Sequence, residues 1–155
     1  MPKPIKRHIV LQPISREHHH GLLLSWKIRQ GFSFGIAPER MKKYTDWFWE
    51  NHLQAHFEFE ENYIFPILDK EHPFIKRALR EHRRLKRLFM ATDKIERNIS
   101  LIEEELVAHI RFEERVLFKE VEAVATTEQL KRIEQEHSKP IVEEWEDKFW
   151  VRNKK

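Results

Sequence analysis

A chain of 155 residues, 40% hydrophobic and 35% charged, has the length of one domain around a single core. Only three glycines, with Leu, Ile, Lys, Glu and Arg throughout, favour helix over sheet or disorder. The lack of cysteine excludes disulfides, thiolate metal sites, iron–sulfur clusters and covalent haem attachment, and a net charge of +3 is too mild to indicate nucleic acid.

The N-terminal segment, residues 1–13, is basic, and its apolar run is too short and interrupted for a signal-peptide core. A first helix is expected from Ser15, an N-cap with Glu17 in the first turn, to Gln30, where GFSFG and Ala37-Pro38 mark a loop. Pro38 suits the first turn of a second helix. Trp49, Leu53, His56, Phe59, Tyr63 and Ile67 recur along it at helical spacing, and it should end or kink near Pro66. A third helix is expected from Pro73 to about Asn98. It carries Lys76, Arg77, Arg80, Arg83, Arg84, Lys86 and Arg87, read first as a solvated face and alternatively as a surface for an acidic partner or nucleic acid.

Ser100, with Glu103 three residues on, has the capping-box pattern for a fourth helix reaching Val124. A fifth runs from about Thr127 to Ser138, and a short sixth after Pro140 would present Ile141, Trp145 and Phe149 on one face. The economical fold is all-α: an up-down-up-down four-helix bundle over 14–124 with a C-terminal helical extension over 125–155. No stretch approaches the roughly 18 apolar residues of a membrane span, so a cytoplasmic protein is the simplest expectation.

The chain also repeats itself. HFEFEENYIF begins at His56 and HIRFEERVLF at His109. Leu53, Ala55, His56, Phe59, Glu60, Glu61 and Phe65 recur as Leu106, Ala108, His109, Phe112, Glu113, Glu114 and Phe118, and Arg16-Glu17-His18 recurs as Arg80-Glu81-His82. The chain is two helical hairpins, each written E-H followed by H-x-x-x-E-E.

H-x-x-x-E sets an imidazole and a carboxylate one turn apart on the same helix face. His109 shares that face with Leu106, Phe112 and Val116, and His56 shares its own with Leu53 and Phe59. His82 lies on the stripe Ile75, Ala78, Leu79, Leu85, Phe89, and His18 lies between Ile14 and Leu22, whereas His19 and His20 turn away. Four histidines and two glutamates therefore point into the core. A buried carboxylate without a partner is costly, and the economical remedy is a cation.

His18, His56, Glu60, His82, His109 and Glu113 thus form the expected metal site. His18 and His56 would serve one ion, His82 and His109 the other, with Glu60 and Glu113 bridging. Iron suits mixed nitrogen and oxygen ligation best, with manganese or zinc as substitutes. Tyr63 is read as a core tyrosine or a phenol beside the site; Glu61 and Glu114 are reserve ligands. His137 is expected to pack or lie exposed, a fifth-ligand role being the alternative. His8, His52 and His72 lack repeat partners and are left out.

On the REH of helices one and three and the H-x-x-x-E-E of helices two and four, the chain resembles the hemerythrin-like proteins with the HHE cation-binding domain, over about residues 14–124. The resemblance implies a four-helix bundle holding two Fe ions, an oxo- or hydroxo-bridged di-iron centre that binds or senses O2, nitric oxide or iron. Oxygen-carrying members have H-x-x-x-H in the third helix and an aspartate five residues after the last histidine. Here Lys86 and Glu113 differ from that pattern, which weighs against reversible oxygen carriage. Two other functions compete with binding or sensing: a di-iron oxidase, peroxidase or nitric-oxide scavenger, and a metal-stabilised interaction module using Trp145, Phe149 and Trp150. The many aromatics also suggest a homodimer face.

Overall fold

The computed structural model describes residues 7–137 and 145–152. Among these the chain is all-α, with five helices and no strand. We label them α1 (Gln12–Ser33), α2 (38–67), α3 (Pro73–Met90), α4 (95–124) and α5 (Thr127–Glu136). Helix α2 is continuous but not uniform: π turns at Trp49–Leu53 and Glu60–Ile64 interrupt it, and a 3-10 turn at Phe65–Ile67 closes it around Pro66. Helix α4 has one π turn, Glu113–Leu117, at the position equivalent to the second of these.

Helix α1 starts three residues before the expected cap. A 3-10 turn at Ile9–Leu11 leads into it, and Pro13 sits in its first turn, where the missing N–H costs nothing. Ser15 is therefore inside the helix, and its hydroxyl donates to Glu114 across the structure (3.1 Å). The break between α3 and α4 is also displaced. Helix α3 ends at Met90, and α4 begins at Ile95 after Lys94 adopts the left-handed conformation (φ 45°). Ser100 is not a cap: Ile99, Ile102 and Leu106 already form one buried stripe, and packing along it outweighs the capping pattern.

The capping box that does form is at Thr126, whose hydroxyl accepts from Gln129 N–H while the Gln129 side chain accepts from Thr126 N–H. The expected sixth helix falls partly on 138–144, outside the described residues. The part that is described, 145–152, forms turns and bends instead of helix. Its Phe149 is buried against Tyr44, Trp145 and Trp150 are half-buried beside the same ring, and Asp147 pairs with Arg40 (2.6 Å). Gly31 makes room for this segment, since a Cβ there would lie 2.4 Å from Met41 Sδ and 3.1 Å from the Phe149 ring.

The core has two apolar clusters. One gathers Leu24, Ile28, Phe48, Leu53, Leu85, Phe89, Ile102 and Leu106; the other gathers Leu11, Ile14, Ile64, Phe65, Ala78, Phe112, Leu117 and Phe118. Along each of α1 to α4 the inward histidine falls between a residue of one cluster and a residue of the other. A polar layer therefore separates the two. On α3 the basic face is solvated, with Lys76 paired to Glu71, Arg77 to Glu81 and Arg84 to Glu105. Among the described residues no helix is long and apolar enough to cross a membrane.

Candidate metal centre

The polar layer consists of the six residues singled out by the repeat. His18, His56, His82 and His109 are each 6% exposed or less, and Glu60 and Glu113 are fully enclosed. Ligand atoms of His18, His56, Glu60 and Glu113 lie within 4.8 Å of one another, and so do those of Glu60, His82, His109 and Glu113. Both carboxylates belong to both groups. Glu60 Oε1 lies 3.3 Å from the Nε2 atoms of His56 and His82, while its Oε2 is 3.4 Å from His18 Nε2. Glu113 Oε1 meets His18 Nε2 at 2.9 Å, and its Oε2 is 3.3 Å from His109 Nε2 and 3.5 Å from His82 Nε2.

Every imidazole is held from behind. The Nδ1 atoms of His18, His56, His82 and His109 hydrogen-bond to Glu114, Glu17, Glu61 and Glu81 at 2.7–2.9 Å. An ionised carboxylate only accepts, so each Nδ1 carries its hydrogen outward; in the neutral ring this leaves a lone pair on Nε2 facing the centre. Rings from the repeat complete the walls: Phe118 stacks on His18, Phe65 packs near His82, and Phe57 lies flat on His82 at 3.8 Å between centroids.

The outer carboxylates explain why the motifs are longer than the ligand set requires. Glu17 and Glu81 are the E of each REH, and Glu61 and Glu114 are the second E of each H-x-x-x-E-E. The spacing offers Glu61 and Glu114 as reserve ligands and Glu17 as an acidic first-turn residue, and gives Glu81 no role beyond its motif. In the structure all four receive a histidine from another helix. The signal was their exact recurrence in both halves, which a ligand-only reading leaves unused.

The charges are strongly coupled. Burial by itself pushes the His56 imidazole down, but the Glu60 charge 3.3 Å away and the hydrogen bond to Glu17 carry it up to about 9. His18 and His82 are raised well above the usual range and His109 is raised, in each case against burial, by the carboxylates around them. Burial and the neighbouring Glu113 push Glu60 up, but His56 and His18 outweigh them and bring it down to about 2; Glu113 lies well below its usual range for the same reason. Without a metal the carboxylates thus favour the charged form of the imidazoles, and the imidazoles favour the charged form of the carboxylates.

That array leaves polar atoms stranded. Nε2 of His56, His82 and His109, both oxygens of Glu60 and Oε2 of Glu113 are buried with no hydrogen-bond partner. Buried polar atoms are rarely left so, and here six of them converge on one small space. The donor set is neutral nitrogen and anionic oxygen with no sulfur, which fits divalent iron, manganese or zinc.

The remaining candidates fall elsewhere. Tyr63 turns its hydroxyl outward to Glu136 (3.5 Å), away from the centre. His137 is not in the inner groups; its Nε2 bonds Glu17 at 2.8 Å, one step behind His56. His8 and His72 are helix caps, accepting at Nδ1 from Val10 and Phe74 N–H, and His52 stands among Trp47, Phe48 and His20. Compared with protein families, curated proteins and solved structures, the chain matches none of them.

Proposed function

We propose that residues 14–124 form a hemerythrin-like four-helix bundle whose polar layer binds two divalent metal ions, iron foremost. The observation that carries this reading is the convergence of six unsatisfied buried ligand atoms from three helices, with His18 of the fourth beside them. His18 and His56 would hold one ion and His82 and His109 the other, with Glu60 and Glu113 shared between them. A reduced di-iron pair would supply electrons and a binding position for a small diatomic ligand such as O2 or nitric oxide. Binding or sensing of that ligand is the function proposed.

The chain's own residues do the rest. The four outer carboxylates fix each ring so that Nε2 faces inward and need not reorganise on binding. The fully buried Glu60 and Glu113 supply two negative charges, so two divalent ions leave a modest net charge in a dry site. Phe57, Phe65 and Phe118 exclude water around the rings.

Reconstitution tests the proposal. Metal-free chain supplied anaerobically with ferrous iron should retain about two ions per chain, as expected for a di-iron bundle site. Glu60→Ala and His109→Ala should retain fewer, and the absorption change on admitting air or nitric oxide should be lost with them. A folded wild-type chain that retains no iron, manganese or zinc would overturn the proposal.

A further inference from the structure

The inner six side chains are arranged nearly symmetrically, as a repeat should be, but the groups behind them are not. Around His18 and His56 both outer carboxylates are held by residues from outside the repeat or peculiar to one half of it. Glu114 pairs with the buried Arg7 guanidinium (3.1 Å), and Arg7 also grips Glu122 and the Glu114 carbonyl. Ser15 donates a further hydrogen bond to Glu114 at 3.1 Å. Glu17 is shared between His56 and His137, whose ring stands edge-on to Phe59.

The equivalent carboxylates behind His82 and His109 are barer. Leu79 stands where Ser15 stands in the first half, two residues before the Glu-His pair, and has no hydroxyl to offer. The Glu61 side chain is 39% exposed and has no cation beside it other than His82 among the described residues. Glu81 pairs with Arg77, but the Arg77 side chain is 48% exposed, so solvent screens that pair.

We propose, on the reading that the layer holds two ions, that residues flanking the repeat make the two positions unequal: Arg7 and His137 are positioning residues that lock the His18/His56 ion, and the His82/His109 ion, beside the exposed Glu61, is the exchangeable one. The physical reason is that a metal ligand leaves when its ring rotates away, and a ring whose Nδ1 partner is itself anchored resists that rotation. Loss of such an outer partner commonly weakens a metal site by about 10–100-fold.

Chelator extraction from the full chain tests this. The chain is loaded anaerobically with two equivalents of Co(II), and bound cobalt and its visible absorption are followed after excess EDTA. Wild type should lose one equivalent about tenfold or more faster than the other. His82→Ala should lack the fast equivalent. Arg7→Ala and His137→Ala should hasten only the slow one, by about 10–100-fold, and His137→Gln, which keeps an N–H donor, should restore it. Glu61→Gln should hasten only the fast one. Release of both ions from wild type at a single rate, or equal acceleration of both phases by His137→Ala, would overturn the inequality while leaving the two-ion reading intact. A folded wild-type chain that binds no cobalt, iron, manganese or zinc would overturn both.

Discussion

A carboxylate as enclosed as Glu60 is tolerable only beside positive charge, and in the metal-free chain the imidazoles provide it. This gives the two states opposite responses to pH. His56 is raised from the usual 6.5 to about 9, so its stabilising charge is fully present below 6.5 and is lost as pH rises towards 9. Glu60 is depressed from 4.5 to about 2, so its contribution is present above 4.5 and is lost as pH falls towards 2. Metal-free protein should therefore melt highest between about pH 4.5 and 6.5. Metal binding must displace the imidazole protons, so apparent affinity should climb across the interval from 6.5 to 9 in which the metal-free melting temperature falls. Melts and metal titrations at matched pH check both trends, and a metal affinity flat over that interval would contradict the assignment. At this scale the six inner residues were legible, because their spacing on single helices put them on apolar stripes. Glu17, Glu61, Glu81 and Glu114 were visible as recurring residues but their role was not, because each meets its histidine across a helix–helix contact that no single-helix pattern describes.

Helical periodicity puts Val116 and Tyr63 inward, seven residues beyond His109 and His56, yet Val116 is 38% exposed and Tyr63 is only half-buried with its hydroxyl on Glu136, while Leu117 and Ile64 are fully buried. The π turns are the cause. Each widens one turn, so that Phe118 N–H reaches back to Glu113 and Phe65 N–H to Glu60, and the buried stripe moves on by one residue. Val116→Lys should then change stability by no more than about 0.5 kcal/mol, whereas Leu117→Ala should cost about 2–5 kcal/mol. Urea unfolding of the two variants measures the difference, and the reverse order would mean that α4 keeps an ordinary α-helical register. The displaced α3–α4 boundary has a similar origin. Ala-Thr-Asp-Lys contains neither Gly nor Pro, so a left-handed Lys94 gave no signal, while Ser100 and Glu103 imitated a cap within a stripe already committed to the core.

Across the molecule, a polar layer divides two apolar clusters, and four helices from both halves of the repeat contribute to it. Folding the metal-free chain must gather four imidazoles and two carboxylates, whereas on the proposed reading folding with metal would replace proton sharing by coordination that only the native state provides. Metal should therefore act as a folding ligand, adding about 2.7 kcal/mol per independent site at a hundredfold excess over Kd. The increment should depend on the layer and not on the apolar clusters. Phe149 belongs to the first apolar cluster, packs with Tyr44 and Gly31, and among the described residues has no ring contact with the inner histidines, so Phe149→Ala should lower stability by about 3–5 kcal/mol through lost burial while leaving the metal-induced increment as in wild type. His82→Ala should do the converse, removing much of the increment through the loss of one inner ligand. Denaturant unfolding of wild type and both variants, each with and without metal, separates the two contributions. If Phe149→Ala also abolished the increment, the layer would be held open by the aromatic packing at one end, and the outer carboxylates alone would not be what keeps four imidazoles aimed at one point.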